Sequence, residues 1–316
     1  MKKIPVILDG DPGHDDAIAW VLANASPMLD IKAVTSVCGN QTMEKTTYNA
    51  LRICTLIGLN VPVAKGRVTP LIKDPMVAPN VHGQSGLDGP KLPEPAFEVS
   101  DMDAVTLMAK VLEESEEPVT LIPTGPLTNV AVLFLAHPEL KSKIEHIYIM
   151  GGGIHHGNWA PAAEFNIQVD PEAADIVFRG GVPITMAGLD VTEKAQIYPE
   201  EFDIIRNLGN PVAKTVAEWF DFFFQYHKSM QSKEYKGAAV HDAVAVASLI
   251  HPEIFEYKDM YVEVETEGEY CPGATIGDIK GRLGKKPNVR VLWDLDRDAF
   301  AKILIDACAS YGEVAK

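Results

Sequence analysis

A chain of 316 residues, 47% of them hydrophobic and 23% charged, has the composition of a globular protein with enough apolar material for one large α/β domain, not of a disordered or fibrous chain. A net charge of -16 argues against a nucleic-acid or anionic-membrane partner, which would draw on clustered lysine and arginine, and fits a bound cation better. Four scattered cysteines, Cys38, Cys54, Cys271 and Cys308, show neither CxxC nor Cys/His spacing, so reduced thiols in a cytoplasmic protein are expected in place of a zinc site or a disulfide framework.

Met1-Lys2-Lys3 and the run IPVIL imitate the start of a signal peptide, but the apolar stretch ends at Asp9. No run approaches the roughly 20 apolar residues of a membrane span. Short apolar runs at 4–8, 31–37, 119–122, 146–150 and 182–189 alternate with helical patterns at 16–25, 42–57, 102–114, 127–136, 171–178, 211–226, 241–250 and 298–309. Such alternation predicts right-handed βαβ units and an α/β fold, an open, mostly parallel, doubly wound sheet in a single domain over 1–316. Residues 65–100 are dense in Pro and Gly and read as a long irregular segment, either functional or mobile. The alternating stretch 261–270 is expected to finish the sheet near the C-terminus as an antiparallel strand or hairpin.

Ligands of an open α/β sheet bind beyond the carboxyl ends of its strands, where this chain places unusually polar residues. The first such segment, DGDPGHDD at 9–16, holds four carboxylates, Asp9, Asp11, Asp15 and Asp16. An Asx turn capping the next helix accounts for one or two of them; four repel one another unless a cation or a raised pKa relieves them. A calcium EF-hand is excluded, because Gly13 and Ile18 occupy ligand positions and Trp20 stands where the distal Glu belongs. Ligands must therefore come from several strand ends, and His241-Asp242, opening a helix far along the chain, supplies another carboxylate.

Glu164 and Asn166 flank Phe165 and are expected on one side of an extended segment, an arrangement that suits vicinal sugar hydroxyls but that solvent-facing polar residues also adopt by default, which is the favoured reading of the pair taken alone. Asp294, Asp296 and Asp298 imitate a metal loop but read better as a helix start. The Gly151–Gly153 run lacks a GxGxxG pattern and a P-loop lysine, and serves close backbone approach to a ligand. Trp219, Phe220 and Phe223 read as core, while Tyr226 and Tyr235 are candidates to close a pocket over a flat aromatic ligand.

Together DGDPGHDDA (9–17), CGNQT (38–42), VHGQSGLDGP (81–90), PTGPLTN (123–129), MGGG (150–153), AEFNIQVDPEAA (163–174) and VHDA (240–243) resemble the inosine-uridine preferring nucleoside hydrolase family over essentially the whole chain. The resemblance implies hydrolysis of the N-glycosidic bond of ribonucleosides to ribose and free base, with one Ca2+ held by Asp11, Asp16, the Thr124 carbonyl and Asp242. It implies that Asp11 acts as general base on the calcium-bound water, and that Asp15, Asn40, Asn158, Glu164 and Asn166 hold the ribose hydroxyls while Met150 packs against the sugar. His241 is implied as the acid that serves the leaving base, with His82, in the mobile loop, as a second candidate. The two histidines lean towards pyrimidine nucleosides or a broad range; a purine or inosine preference is the alternative. A homo-oligomer, dimer or tetramer, is implied as well.

The chain departs from the family pattern at Gly10, where Thr or Cys is commoner and where little consequence is expected because that side chain need not reach the ligand. The segment 226–241 matches loosely, which weakens base-recognition roles for Gln225, Tyr226 and Tyr235. Two rival readings stand beside this one. VILDGD presents a DxD after a strand, as in haloacid-dehalogenase-type phosphohydrolases, although Gly13 breaks their spacing. A nucleoside-binding protein without turnover is the other.

Overall fold

Strand β1 (Ile4–Gly10) is buried from Pro5 onward, as a continuous apolar run covered on both faces requires. It lies inside an eight-stranded sheet with β2 (Leu29–Ser36), β3 (Val63–Lys65), β4 (Val119–Pro123), β5 (Ile144–Met150), β6 (Ile184–Ala187), β7 (Phe255–Met260) and β8 (Val289–Leu295). The spatial order is β3-β2-β1-β4-β5-β6-β8-β7, and every pairing is parallel except that of β7 with β8. This is a computed structural model, and it describes residues 2–229 and 236–312.

Helices cover both faces: α1 (His14–Ala25), α2 (Met43–Leu56), α3 (Ala104–Glu114), α4 (Thr128–Ala136), α5 (Pro171–Phe178), α6 (Pro199–Arg206), α7 (Pro211–Ser229), α8 (His241–Ile250) and α9 (Arg297–Ser310). Alternation along β1 divides the core. Val6 and Leu8 join the α1, α7 and α8 side, where Trp20, Trp219 and Phe220 are fully buried, and Ile7 joins the α3, α4 and α5 side.

All five predicted strands are present, within an open, mostly parallel sheet. The antiparallel addition is real but misplaced in the sequence reading: β7 supplies it, whereas Val262–Val264 pairs with Thr275–Gly277 in a separate two-stranded sheet. β7 is an edge strand, buried only at its two ends, so it shows no alternation to read. Asp296 caps α9 through the Ala299 amide, as a helix start predicts. Residues 66–103 hold only one short helical turn, Pro79–His82. Among the described residues no helix is long and apolar enough to cross a membrane, and all four cysteines are free thiols.

The strand order runs outward in opposite directions from β1 and β4. Their carboxyl ends, at Gly10 and Pro123, flank the point where the topology switches, which is where such a sheet opens a crevice for ligands.

Candidate active site

Asp11 leaves the end of β1, and Gly13 caps α1, so Asp15 and Asp16 fall in the first helical turn. Asp16 Oδ2 accepts from the Gly13 amide at 3.0 Å, while its Oδ1 accepts from Thr124 Oγ1, beyond β4, at 2.7 Å. Helix capping thus employs one carboxylate and leaves the others unexplained. Asp242 arrives on the first turn of α8, and carboxylate oxygens of Asp15, Asp16 and Asp242, all buried, lie within 4.8 Å of one another. Asp15, read as a ribose contact, stands in this trio where Asp11 was expected. The Asp11 carboxylate is drawn aside by the Asn40 amide, which donates to Oδ2 at 2.6 Å.

So much buried negative charge is costly, and without a cation it shifts these carboxyls towards their protonated forms. Burial, then the charge of Asp16, pushes Asp15 up to about 8 and Asp11 well above the usual carboxylate range. Asp242 rises well above that range through burial and the charges of Asp15, Asp16 and Asp11. Asp16 reaches only about 6, because its bonds from Gly13 and Thr124 offset burial. Asp9 is pushed to about 7 by burial despite bonds from Thr35 Oγ1 and Asn129 Nδ2, both 2.7 Å.

Two observations fit a hard cation here. Asp11 Oδ1 and Asp15 Oδ1 are buried without a hydrogen-bond partner among the described residues, and the donor set is wholly oxygen. The space around it is kept by glycine: a Cβ at Gly39 would come within 2.1 Å of Asp11 Oδ2. At Gly10 a Cβ would lie 2.4 Å from Asp16 Oδ1 and 2.9 Å from Thr124 Oγ1, so a larger residue there would displace the Asp16–Thr124 pair, a consequence the sequence reading discounted.

Above the cluster opens a cleft of about 320 Å3. It gathers Asp15, Asn40, His82, Thr124, Met150, Asn158, Glu164, Asn166, His241 and Asp242, ten of the residues singled out in sequence; Asp11 and Asp16 lie beneath its wall. Glu164 and Asn166 reach it from a helix start, not an extended segment. Glu164 caps the short helix Phe165–Val169, its carboxylate accepting from the amides of Gly152 (3.0 Å), Asn166 (3.0 Å) and Ile167 (3.3 Å). The glycine run therefore brings backbone to Glu164. Burial nonetheless lifts this carboxyl to about 7. Asn166 Nδ2 donates to the carbonyls of Thr124 at 2.9 Å and Met150 at 3.2 Å. Asn158 is exposed at the rim, its Oδ1 accepting from the Phe165 amide.

His241 Nδ1 lies 2.8 Å from Thr192 Oγ1 and His82 Nδ1 lies 3.2 Å from the His14 amide, so both cleft histidines are anchored from behind. Phe223, read as core, is buried and also lines the cleft, with Trp159, Phe165 and Val81, none of which sequence reasoning assigned to it. The side chain of Tyr226 and all of Tyr235 lie outside the described residues; Gln225 is exposed on α7. A larger groove of about 810 Å3 lies at the opposite strand ends, where Lys2 pairs with Glu117, Lys32 with Asp30 and Lys110 with Glu114.

Residues 6–302 match the family described as inosine-uridine preferring nucleoside hydrolase. The chain belongs to that family. It is 55% identical over 309 residues to the pyrimidine-specific ribonucleoside hydrolase RihA of Escherichia coli O127:H6, covering 98% of this chain and 99% of the relative. Among solved structures it resembles a purine-preferring ribonucleoside hydrolase from Gardnerella vaginalis (TM-score 0.91, 31% identity, 98% of this chain and 99% of that one). A plant nucleoside hydrolase, PpNRh1, follows at a TM-score of 0.89 and 29% identity, covering 97% and 99%. The protein is thus a nucleoside hydrolase, and the phosphohydrolase and non-catalytic readings fall away.

Proposed function

We propose that this nucleoside hydrolase cleaves pyrimidine ribonucleosides, uridine and cytidine foremost, to ribose and free base. The observation that carries the chemistry is the convergence of Asp15, Asp16 and Asp242 within 4.8 Å at the floor of the cleft. The pyrimidine preference is supported by the 55% identity to a pyrimidine-specific relative, against 31% to a purine-preferring one.

Asp11, Asp16, Asp242 and the Thr124 carbonyl would hold one calcium ion. Bound there, the ion would supply a Lewis acid that acidifies a water and grips vicinal ribose hydroxyls. Asp11, with Oδ1 unpaired, takes the proton from the attacking water. Positive charge grows on the ribose as the N-glycosidic bond breaks, and the carboxylates of Asp15 and Glu164 below it lower the energy of that state. Asn40, Asn158 and Asn166 orient the sugar, and Met150 fixes its height above the floor. His241 donates to the departing base, with His82 placed to assist. The same reading takes the chain as one domain, cytoplasmic, and assembled as a dimer or tetramer.

Ribose release from uridine, cytidine, inosine and adenosine, before and after chelation and calcium restoration, tests it. Release from uridine or cytidine foremost, lost on chelation and recovered with calcium, is expected. Inosine foremost would overturn the base preference, and activity indifferent to chelation would overturn the metal.

A further inference from the structure

In DGDPGHDD every carboxylate has found a place, but His14 has not. It is fully buried, and both of its ring nitrogens face one loop. Nε2 donates to the Asp88 carbonyl at 2.8 Å, and Nδ1 lies 3.1 Å from His82 Nδ1. The His14 backbone amide donates to the same His82 nitrogen at 3.2 Å, so His82 Nδ1 is held as an acceptor by the amide, and the ring of His14 acts through its Nε2 bond to Asp88 and its stacking. The ring is stacked on Phe222 (centroids 4.9 Å apart) and Phe223 (5.8 Å), and His82 stacks on Phe223 (5.5 Å). His82 ends the one helical turn, Pro79–His82, of an otherwise irregular segment, and its carbonyl accepts from the Asp88 amide at 3.3 Å.

From this geometry we infer that His14 is a positioning residue for the leaving-base histidine, clamping the His82 loop to the N-terminus of α1 so that His82 Nε2 is the nitrogen that serves the base. The Asp88 end of the clamp is itself rigid, since the Asp88 carboxylate accepts from the amides of Gln84 (2.9 Å) and Ser85 (3.1 Å) and from the Ser85 hydroxyl. Gly13 leaves the room: a Cβ there would lie 2.7 Å from His82 Nδ1. One helix turn then carries both the floor carboxylates and the anchor of the cleft's upper wall, which fixes the distance between sugar and base contacts. Outer contacts of this kind are worth about 10- to 100-fold in function elsewhere.

The inference rests on the proposed role of His82, and the test separates the two. His14→Phe keeps the ring stack and deletes both nitrogens; His14→Gln returns an amide donor near the Nε2 position. Each is assayed beside His82→Ala and the double variant, on uridine and on a riboside whose nitrophenolate leaves without a proton, with melting curves to verify folding. The expected result is a fall in kcat on uridine of about 10- to 100-fold for His14→Phe, a smaller fall on the nitrophenyl riboside, partial recovery in His14→Gln, and a double variant no worse than His82→Ala. Additive losses, or equal losses on both substrates in a folded His14→Phe protein, would overturn the positioning role while His82 kept its own. A His82→Ala protein with undiminished uridine turnover would remove the role of His82 and the inference with it.

Discussion

Replacing Asp242 by Asn probes what the carboxylate cluster is for. Oxygens of Asp15, Asp16 and Asp242 come within 4.8 Å of one another. At that separation, with an effective dielectric of about 20, each ionised pair costs about 3.5 kcal/mol. The protein offsets much of this by favouring protonated carboxyls, with Asp15 pushed up to about 8 and Asp242 also held well above the usual carboxylate range by burial and its acidic neighbours. Metal-free Asp242→Asn is therefore expected to be at least as stable as the metal-free parent, because an amide of the same shape removes a repelling group. Calcium at about one hundred times its dissociation constant should stabilise the parent by about 2.7 kcal/mol, a rise of several degrees in Tm, and should scarcely move the variant. Calorimetry in chelator and in excess calcium reads both quantities, and ribose release from uridine should be lost in the variant. A variant that keeps the calcium increment, or that melts several degrees below the parent in chelator, would refute the electrostatic reasoning.

Gly39→Ala should abolish turnover while the sheet persists, since its Cβ would meet Asp11 Oδ2 at 2.1 Å; uridine hydrolysis with a circular dichroism melt checks this, and near-native activity would contradict the crowding. His146 gives a pH test away from the cleft. Burial, then the charge of Arg290, lowers it to about 4, beside Thr185 Oγ1 at 2.8 Å. The fold therefore favours the neutral ring, so this stability is present above pH 6.5 and is lost as pH falls from 6.5 towards 4. Urea denaturation at pH 7 and pH 5 should show less loss in His146→Gln than in the parent, and equal losses would count against the assignment.

The sequence exposed what short-range chemistry writes. Apolar runs flagged β1, β2, β4, β5 and β6, and four carboxylates in eight residues flagged the cluster, because neither signal needs a distant partner. β3, three residues long, and β7, exposed along its middle, carry no periodic signal. Glu164 and Asn166 were assigned to the cleft with the wrong local geometry, since a five-residue helix is too brief to show its period. Trp159, Phe165 and Phe223 went unassigned to the cleft because apolar side chains look alike in sequence whether they face a core or a ligand. His14 lay in plain view within the motif, but its partners, His82 and Asp88, are 68 and 74 residues away, and only the fold brings them together.

The site's parts are also spread along the order in which the chain is made. Asp11 and Asp16 emerge from the ribosome first, but Asp242 opens α8, which must pack beside α1 before the proposed cation would meet all the proposed ligands. A partly synthesised chain therefore lacks part of the proposed ligand set, so the proposed ion would not guide the early stages of folding. Ion binding would instead act as a late lock, discriminating finished molecules from unfinished ones.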